Sequence, residues 1–200
     1  MKKIIVILIV LSMVLSLLLP IIVNAEKEDL SISAGKSLES MGVLEGNING
    51  DLMLDKILNR QDMVVLISRL YKEENRAKSF LIKPKFSDIT NEFYASYIAW
   101  STDKGLIKGV GNDKFGFGKD TTVHEFQALL LRVLGYNEES NLWNSVPELA
   151  VKLGIMDGLE NNPGEKLSRG QMAVMTLNTL KLTKKGSTIT LAEFLNIKLD

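Results

Sequence analysis

The chain has 200 residues, with 24 basic and 24 acidic side chains, no cysteine and one histidine. A chain without net charge lacks the basic field that nucleic-acid-binding proteins need. The absence of cysteine excludes disulfides, thiolate metal sites and a cysteine nucleophile, and one histidine excludes a multi-histidine zinc site. We therefore expect a fold stabilised by apolar burial, with no metal and no cofactor, and no nucleic-acid partner.

Residues 1–25 have the pattern of a secretory signal peptide. Lys2 and Lys3 precede a long apolar run, and Val23-Asn24-Ala25 provides a cleavage site. A run of about 20 apolar residues could instead remain as a membrane anchor, but Pro20, just ahead of the cleavage site, favours removal. The sequence thus predicts export, with membrane contact only through this signal.

A pattern that occurs three times organises the rest of the chain. Each copy contains a Gly-x-x-x-Gly turn, a polar Gly/Asn/Asp loop and a helix-capping box. The turns start at Gly42, Gly105 and Gly154, and the boxes start at Asn59, Thr122 and Ser168. Apolar residues at helical spacing flank the turns and follow the boxes. The predicted fold is mainly α, with three tandem helix-loop-helix repeats.

The boundaries of the repeats fall in polar segments. In chain order we predict a first, degenerate repeat at 28–76, a second at 77–137 and a third at 138–183. Polar linkers at 73–83 and 137–141 separate them, and a short amphipathic tail follows at 184–200. Each first helix is expected to end at the first glycine of its turn, where a positive φ is needed.

The boxes predict capped starts for the three second helices. In each, the first side chain accepts a hydrogen bond from the N3 amide, and the N3 side chain accepts one from the N-cap amide. Caps stabilise a helix by about 1 kcal/mol, so we interpret these residues as structural. The pairs are Asn59 with Asp62, Thr122 with Glu125, and Ser168 with Gln171.

Arg60 and Arg169 stand directly after two of these caps, where the helix dipole disfavours a cation by about 0.3–1 kcal/mol. One interpretation is an anion-binding corner, in which free helix amides and a guanidinium hold a carboxylate or phosphate. The other is an arginine that is solvated or paired with an acid such as Asp55 or Asp157. The residues alone leave both interpretations open.

The order of these motifs resembles the S-layer homology (SLH) family, usually found as three tandem copies. The middle repeat is the most similar, at 86–89 (Phe-Ser-Asp-Ile), 103–109 (Asp-Lys-Gly-Leu-Ile-Lys-Gly) and 115–117 (Phe-Gly-Phe). Residues 122–125 (Thr-Val-His-Glu) occupy the place of its Thr-Arg-Ala-Glu signature. The likeness extends over residues 28–183.

The resemblance implies three repeats packed as a pseudo-threefold helical bundle or spindle. It implies a secreted anchoring module at the extracellular face, in the cell wall or S-layer. Its inter-repeat grooves would bind an anionic, often pyruvylated, secondary cell-wall polysaccharide or another peptidoglycan-linked polymer. Arg60 and Arg169 are the implied glycan contacts, whereas Val123 replaces the signature arginine of the middle repeat. The middle groove is then silent, weaker or dependent on His124.

Several other residues are accessory candidates. His124 could act as a partial cation or simply be solvated. Trp143 could stack on a sugar, whereas Trp100 is more typical of a core. Four loop glycines either let a sugar approach the backbone or form turns that need a positive φ. They are Gly46, Gly109, Gly111 and Gly158.

Two other functions are alternatives to glycan binding for this sequence. A drifted SLH-like envelope protein could act in assembly with other envelope proteins without binding glycan. A secreted hydrolase would need paired carboxylates or a nucleophile and base in one pocket. Asp88, Glu92 and Asp103 are close in sequence, but charges that flank a surface helix explain them. We therefore predict a carbohydrate-binding module that is not an enzyme.

Overall fold

The computed structural model describes residues 29–199, and the predicted signal peptide lies outside the described residues. In this range β structure is limited to isolated bridges, and none of the helices is long and apolar enough to cross a membrane. The prediction of a mainly α chain is confirmed. The helices are α1 (29–40), α2 (Arg60–Leu70), α3 (Glu74–Lys78), α4 (Glu92–Asp103), α5 (Val123–Val133), α6 (Val146–Leu153), α7 (Arg169–Lys181) and α8 (Leu191–Phe194).

In each predicted repeat a first helix is followed by a turn, a loop and a second helix. The first helix, α1, α4 or α6, ends beside a glycine with positive φ, which is 71° at Gly42, 71° at Gly105 and 90° at Gly154. The polar linkers contain structure that was not predicted. Helix α3 lies in the first linker, and two 3-10 turns, Glu139–Asn141 and Trp143–Ser145, lie in and after the second.

The apolar faces of α2, α5 and α7 all contribute buried side chains to the core. Ile67, Leu129 and Met175 are fully buried, and one hydrophobic cluster joins residues from all three predicted repeats. The tail also contributes, because Leu191 at the start of α8 is fully buried and α8 packs against α7. Thr190 and Glu193 form a capping box there, which was not predicted.

Backbone hydrogen bonds join the residues before the three boxes into a closed cycle. The amide of Leu58 donates to the carbonyl of Leu167, that of Leu167 to Thr121, and that of Thr121 to Leu58, each at 2.8 Å. All three residues are buried. The second helices therefore begin around a common point, and each predicted repeat is bonded to both others.

Two of the three predicted capping boxes are present. Thr122 and Ser168 each accept a hydrogen bond from the N3 amide, and Glu125 and Gln171 accept one from the N-cap amide. The predicted box at Asn59 is wrong, since its side chain makes no cap hydrogen bond.

The reason lies at the N3 position of this helix. The amide of Asp62 donates to the main-chain carbonyl of Asn59 at 3.1 Å, instead of to the side chain. The Asp62 carboxylate accepts a hydrogen bond from the hydroxyl of Tyr94 at 2.8 Å. An aspartate is one methylene shorter than the glutamate or glutamine of a capping box, and this one has another partner.

Candidate functional site

Two grooves lie where the start of one second helix meets the turn of another repeat. The first groove, of about 420 Å³, lies between α2, the turn after α4, α5 and Trp143. The second groove, of about 230 Å³, lies between α7, the turn after α1, α2 and the start of α4. Arg60 lines the first groove and Arg169 lines the second.

The helix amides beside these arginines are already bonded. The amide of Arg60 donates to Lys119 at 3.0 Å, and that of Arg169 to Lys56 at 2.9 Å. The next amide of α7, from Gly170, donates to Leu54 at 2.7 Å. The predicted anion corner requires free amides at these positions, and this part of the prediction is wrong. Carbonyls of a neighbouring predicted repeat accept the hydrogen bonds of these amides.

Arg60 is an internal link between repeats as well as part of the groove wall. It is 5% exposed, and its Nη1 lies 2.9 Å from the carboxylate of Glu125. Its Nε donates to the carbonyl of Phe115 at 3.0 Å, and its Nη2 to that of Lys108 at 3.2 Å. Burial lowers the pKa of Arg60, and Glu125 opposes this shift. The expected partners Asp55 and Asp157 are not used, and Glu125 is both cap and ion-pair partner.

Arg169 has the same geometry in the second groove. Its Nε donates to Leu52 at 2.9 Å and its Nη2 to the main-chain carbonyl of Glu45 at 2.8 Å. Leu52 and Phe115 precede their boxes by the same number of residues, and Glu45 and Lys108 are both the fourth residue of a Gly-x-x-x-Gly turn. Each arginine thus clamps the turn and the loop of another repeat.

Arg132, on α5, is an arginine of the first groove that makes no ion pair with a carboxylate of the described residues. Its Nη1 donates to the carbonyl of Leu106 at 3.1 Å, and its Nε is buried without a hydrogen-bond partner. Burial, and then the positive charge of Arg60, lower the pKa of Arg132. Because Arg132 lines the groove, its guanidinium can donate charge-assisted hydrogen bonds to an anion bound there.

The two grooves differ in charge. Three basic residues (Arg60, Lys108 and Arg132) and one acidic residue (Glu125) line the first groove. Two basic and two acidic residues line the second. There Arg69 lies 2.7 Å from Glu45 and 3.2 Å from Glu74. Burial lowers the pKa of Arg169, and the charge of Asp62 opposes this shift. The first groove is therefore the more favourable site for an anion.

The middle signature position carries no cation. Val123 is buried, and one turn later Gln127 donates from Nε2 to the Oδ1 of Asn161 at 2.8 Å. Asn178 occupies the place on α7 that Arg132 has on α5, and it donates to the carbonyl of Asp157 at 2.9 Å. Asn178, a neutral side chain, thus bonds a turn carbonyl here as the arginines do at the two grooves.

The accessory residues divide into two sets. Gly46 and Gly109 line the grooves, where an added Cβ would lie 2.9 Å and 2.5 Å from a main-chain oxygen. Gly111 and Gly158 line neither groove, and both have the positive φ of turn residues. His124 stacks on Trp143, which lines the first groove.

The sequence analysis missed Arg69 and Arg132. Each is the tenth residue of its second helix, counted from the residue after the N-cap. Arginine at the same register in two repeats, with Asn178 in the third, is the pattern that could have identified them.

Residues 85–116 match the S-layer homology domain family, so the predicted resemblance is confirmed for this part of the middle repeat. The chain is 27% identical over 150 residues to a surface layer protein of Brevibacillus choshinensis, covering 74% of this chain and 13% of that protein. It is 25% identical over 150 residues to a middle cell wall protein of Brevibacillus brevis, covering 74% of this chain and 14% of that protein. The chain thus spans only about a seventh of these relatives.

These matches confirm the predicted location, which is secreted and in the cell wall or S-layer. They also support an anchoring module of the cell wall. The matched segment contains the turn with Lys108 and the loop with Phe115, which together accept the hydrogen bonds of Arg60.

Proposed function

We propose that this chain is a non-catalytic module that binds an anionic secondary cell-wall polysaccharide, or another peptidoglycan-linked polymer, in grooves between its repeats. The observation that carries the proposal is Arg132, a cation without a carboxylate partner among the described residues, in a groove that Arg60 and Lys108 also line. A carboxylate or phosphate of the polymer would accept charge-assisted hydrogen bonds from this guanidinium. A pyruvylated sugar would supply such a carboxylate.

We infer that residues 28–76, 77–137 and 138–183 are three repeats related by a pseudo-threefold axis. The inference is supported by the closed cycle of hydrogen bonds through Leu58, Thr121 and Leu167. It is also supported by the two grooves, each built from a turn of one repeat and a signature arginine of another. The axis would pass through the cycle, with α2, α5 and α7 around it.

The two signature arginines have different parts in this proposal. Arg60 holds the wall of the first groove, and its own charge is largely balanced by Glu125. Arg169 lies in the more nearly neutral second groove and is the weaker glycan contact. The main attraction for an anion thus comes from Arg132. We propose no binding at the middle position, because Val123 leaves it without a cation.

Co-sedimentation with purified cell walls tests this function. The wild-type protein is expected to sediment with intact walls and to remain in solution with walls from which the acidic polymer has been removed. Added salt should weaken binding, since ions screen charge pairs that solvent reaches. Equal binding to intact and stripped walls would show that the polymer is not the ligand.

Assembly with other envelope proteins is the second candidate function. The segment between α3 and α4 exposes two neighbouring apolar side chains, with Leu81 95% exposed and Ile82 59% exposed. Exposed apolar side chains are typical of protein contacts when they lie together. Retention on stripped walls that is lost in a Leu81→Ser/Ile82→Ser variant would favour this function over glycan binding.

A further inference from the structure

We propose that Trp143 is the sugar-stacking platform of the first groove and that His124 is the positioning residue that holds its indole ring. This inference rests on the proposed function and assigns the part of the ligand that the arginines do not recognise. Trp143 lines the groove together with Arg132, and its side chain is 48% exposed. An aromatic ring that borders a groove and remains accessible can pack against the apolar face of a sugar.

The imidazole of His124 fixes the indole in two ways. The two rings are stacked, with centroids 3.6 Å apart and planes 14° apart. The Nε2 of His124 lies 2.8 Å from the main-chain carbonyl of Trp143. Because a carbonyl only accepts, this nitrogen carries the proton and donates. One face of the indole is thus covered, and only the opposite face can receive a ligand.

Further contacts hold both partners in place. The amide of His124, in the first turn of α5, donates to the carbonyl of Pro163 at 3.1 Å. The 3-10 turn before Trp143 is tied to the groove wall, because the Nζ of Lys108 donates to the Oδ1 of Asn141. A platform that is already ordered loses little conformational freedom on binding.

The second groove has no equivalent stack in the described structure. Its aromatic residues, Phe93 and Tyr94, meet edge to face with centroids 5.0 Å apart. The hydroxyl of Tyr94 donates to the carboxylate of Asp62. This arrangement places the Asp62 carboxylate beside the aromatic ring. Within the described residues, the stacked aromatic platform therefore lies in the first groove, which is also the more basic of the two.

The pairing of these two features defines the ligand by its chemistry. The ligand unit is a pyranose ring whose C–H face packs on the indole of Trp143, and whose acidic substituent reaches the guanidinium of Arg132. A neutral sugar would use only the platform, and a free inorganic anion would use only the cation. Both are therefore expected to bind more weakly than the acidic sugar.

Titration of the purified acidic wall polymer into the full chain tests the platform. Trp143→Ala is expected to weaken affinity about tenfold, and Trp143→Phe should retain most of it. His124→Ala should weaken binding in part, whereas His124→Tyr, which keeps a stacked ring, should restore it. Phe194→Ala, which removes an exposed aromatic side chain that lines neither groove, is the matched control and should bind as wild type.

Tryptophan fluorescence gives a readout that is independent of stability. The chain has two tryptophans, and Trp100 is buried. Quenching by acrylamide therefore reports mainly on Trp143, and bound polymer should protect it. Protection is expected in wild type and in Phe194→Ala.

The outcomes separate the platform from the function on which it rests. If Trp143→Ala binds as wild type while Arg132→Gln loses binding, the groove is the site and the platform is overturned. Polymer binding without protection of Trp143 would overturn it as well. If neither variant affects binding, the proposed function of this groove fails too.

Discussion

At the scale of single residues, the first groove depends on a carboxylate outside the predicted site. Asp88 accepts hydrogen bonds from the amides of Phe115 at 2.7 Å, Gly116 at 2.8 Å and Phe117 at 3.1 Å. Burial raises the pKa of Asp88, but these backbone hydrogen bonds outweigh it and hold the pKa below its ordinary value. The carboxylate thereby fixes the loop whose Phe115 carbonyl receives Arg60.

Replacement of Asp88 by asparagine is expected to lower the free energy of unfolding by about 1–3 kcal/mol at pH 7. The native pKa lies below that of the unfolded chain, about 3.9, so the carboxylate stabilises the fold above this pH. Its contribution is lost as the pH falls through the native pKa. Urea unfolding of wild type and Asp88→Asn should therefore differ most at pH 7 and least near pH 3. Asp55→Asn, at an exposed position, is the control. If wild type and Asp88→Asn still differed in the free energy of unfolding at low pH, the stabilising role of the Asp88 carboxylate would be contradicted.

The sequence reveals a functional residue when the pattern around it is local. It does not reveal contacts whose partners lie far away along the chain. Arg60 and Arg169 were predicted because they interrupt a local pattern, a cap followed by a cation. Their occupied amides could not be predicted, because the acceptors Lys119 and Lys56 belong to other repeats. The partner of Arg60 is likewise distant in sequence, since Glu125 lies on another second helix. The roles of Arg60 and Arg169 as glycan contacts stay predictions.

At the scale of elements, the capping boxes show how much local sequence determines. Thr122 and Ser168 form their boxes because Glu125 and Gln171 reach the N-cap amides. Asn59 does not, since Asp62 is shorter and bound by Tyr94, which lies on α4. Helix α3 was missed because its sequence is polar throughout except at Ala77, which is buried.

The three equivalent positions provide an internal comparison of cap strength. Thr122→Ala and Ser168→Ala are each expected to reduce the free energy of unfolding by about 1 kcal/mol, because each removes a side-chain hydrogen bond to an N3 amide. Asn59→Ala should reduce the free energy of unfolding by clearly less, since the Asn59 side chain makes no such hydrogen bond. Urea unfolding of the three variants measures this order. An equal loss for Asn59→Ala would mean that the first box forms in solution.

At the scale of the whole molecule, the repeats share one core. Apolar residues of all three repeats and of the tail belong to a single cluster, and the cycle through Leu58, Thr121 and Leu167 bonds each repeat to both others. The sequence predicted three copies of one unit, but not that the tail continues the core through Leu191. Periodicity identifies the faces of helices, and it does not identify which distant face each one meets.

A shared core predicts cooperative unfolding. We expect circular dichroism and tryptophan fluorescence to follow one transition in urea, since no repeat can lose its contacts without exposing the apolar faces of the others. Leu191→Ala should shift that whole transition to lower urea, because it leaves a cavity in the common core. Two separate transitions, or a loss confined to the third repeat, would show that the repeats fold independently.

The most direct test of the account is the affinity of the purified acidic wall polymer for Arg132→Gln, measured by calorimetry beside wild type. We expect affinity to fall at least about tenfold, because the variant removes a charge-assisted hydrogen bond to the polymer. Arg76→Gln, at a site where the side chain is 66% exposed and lines neither groove, should bind as wild type. Wild-type affinity in a folded Arg132→Gln protein would contradict the claim that the first groove binds the anion.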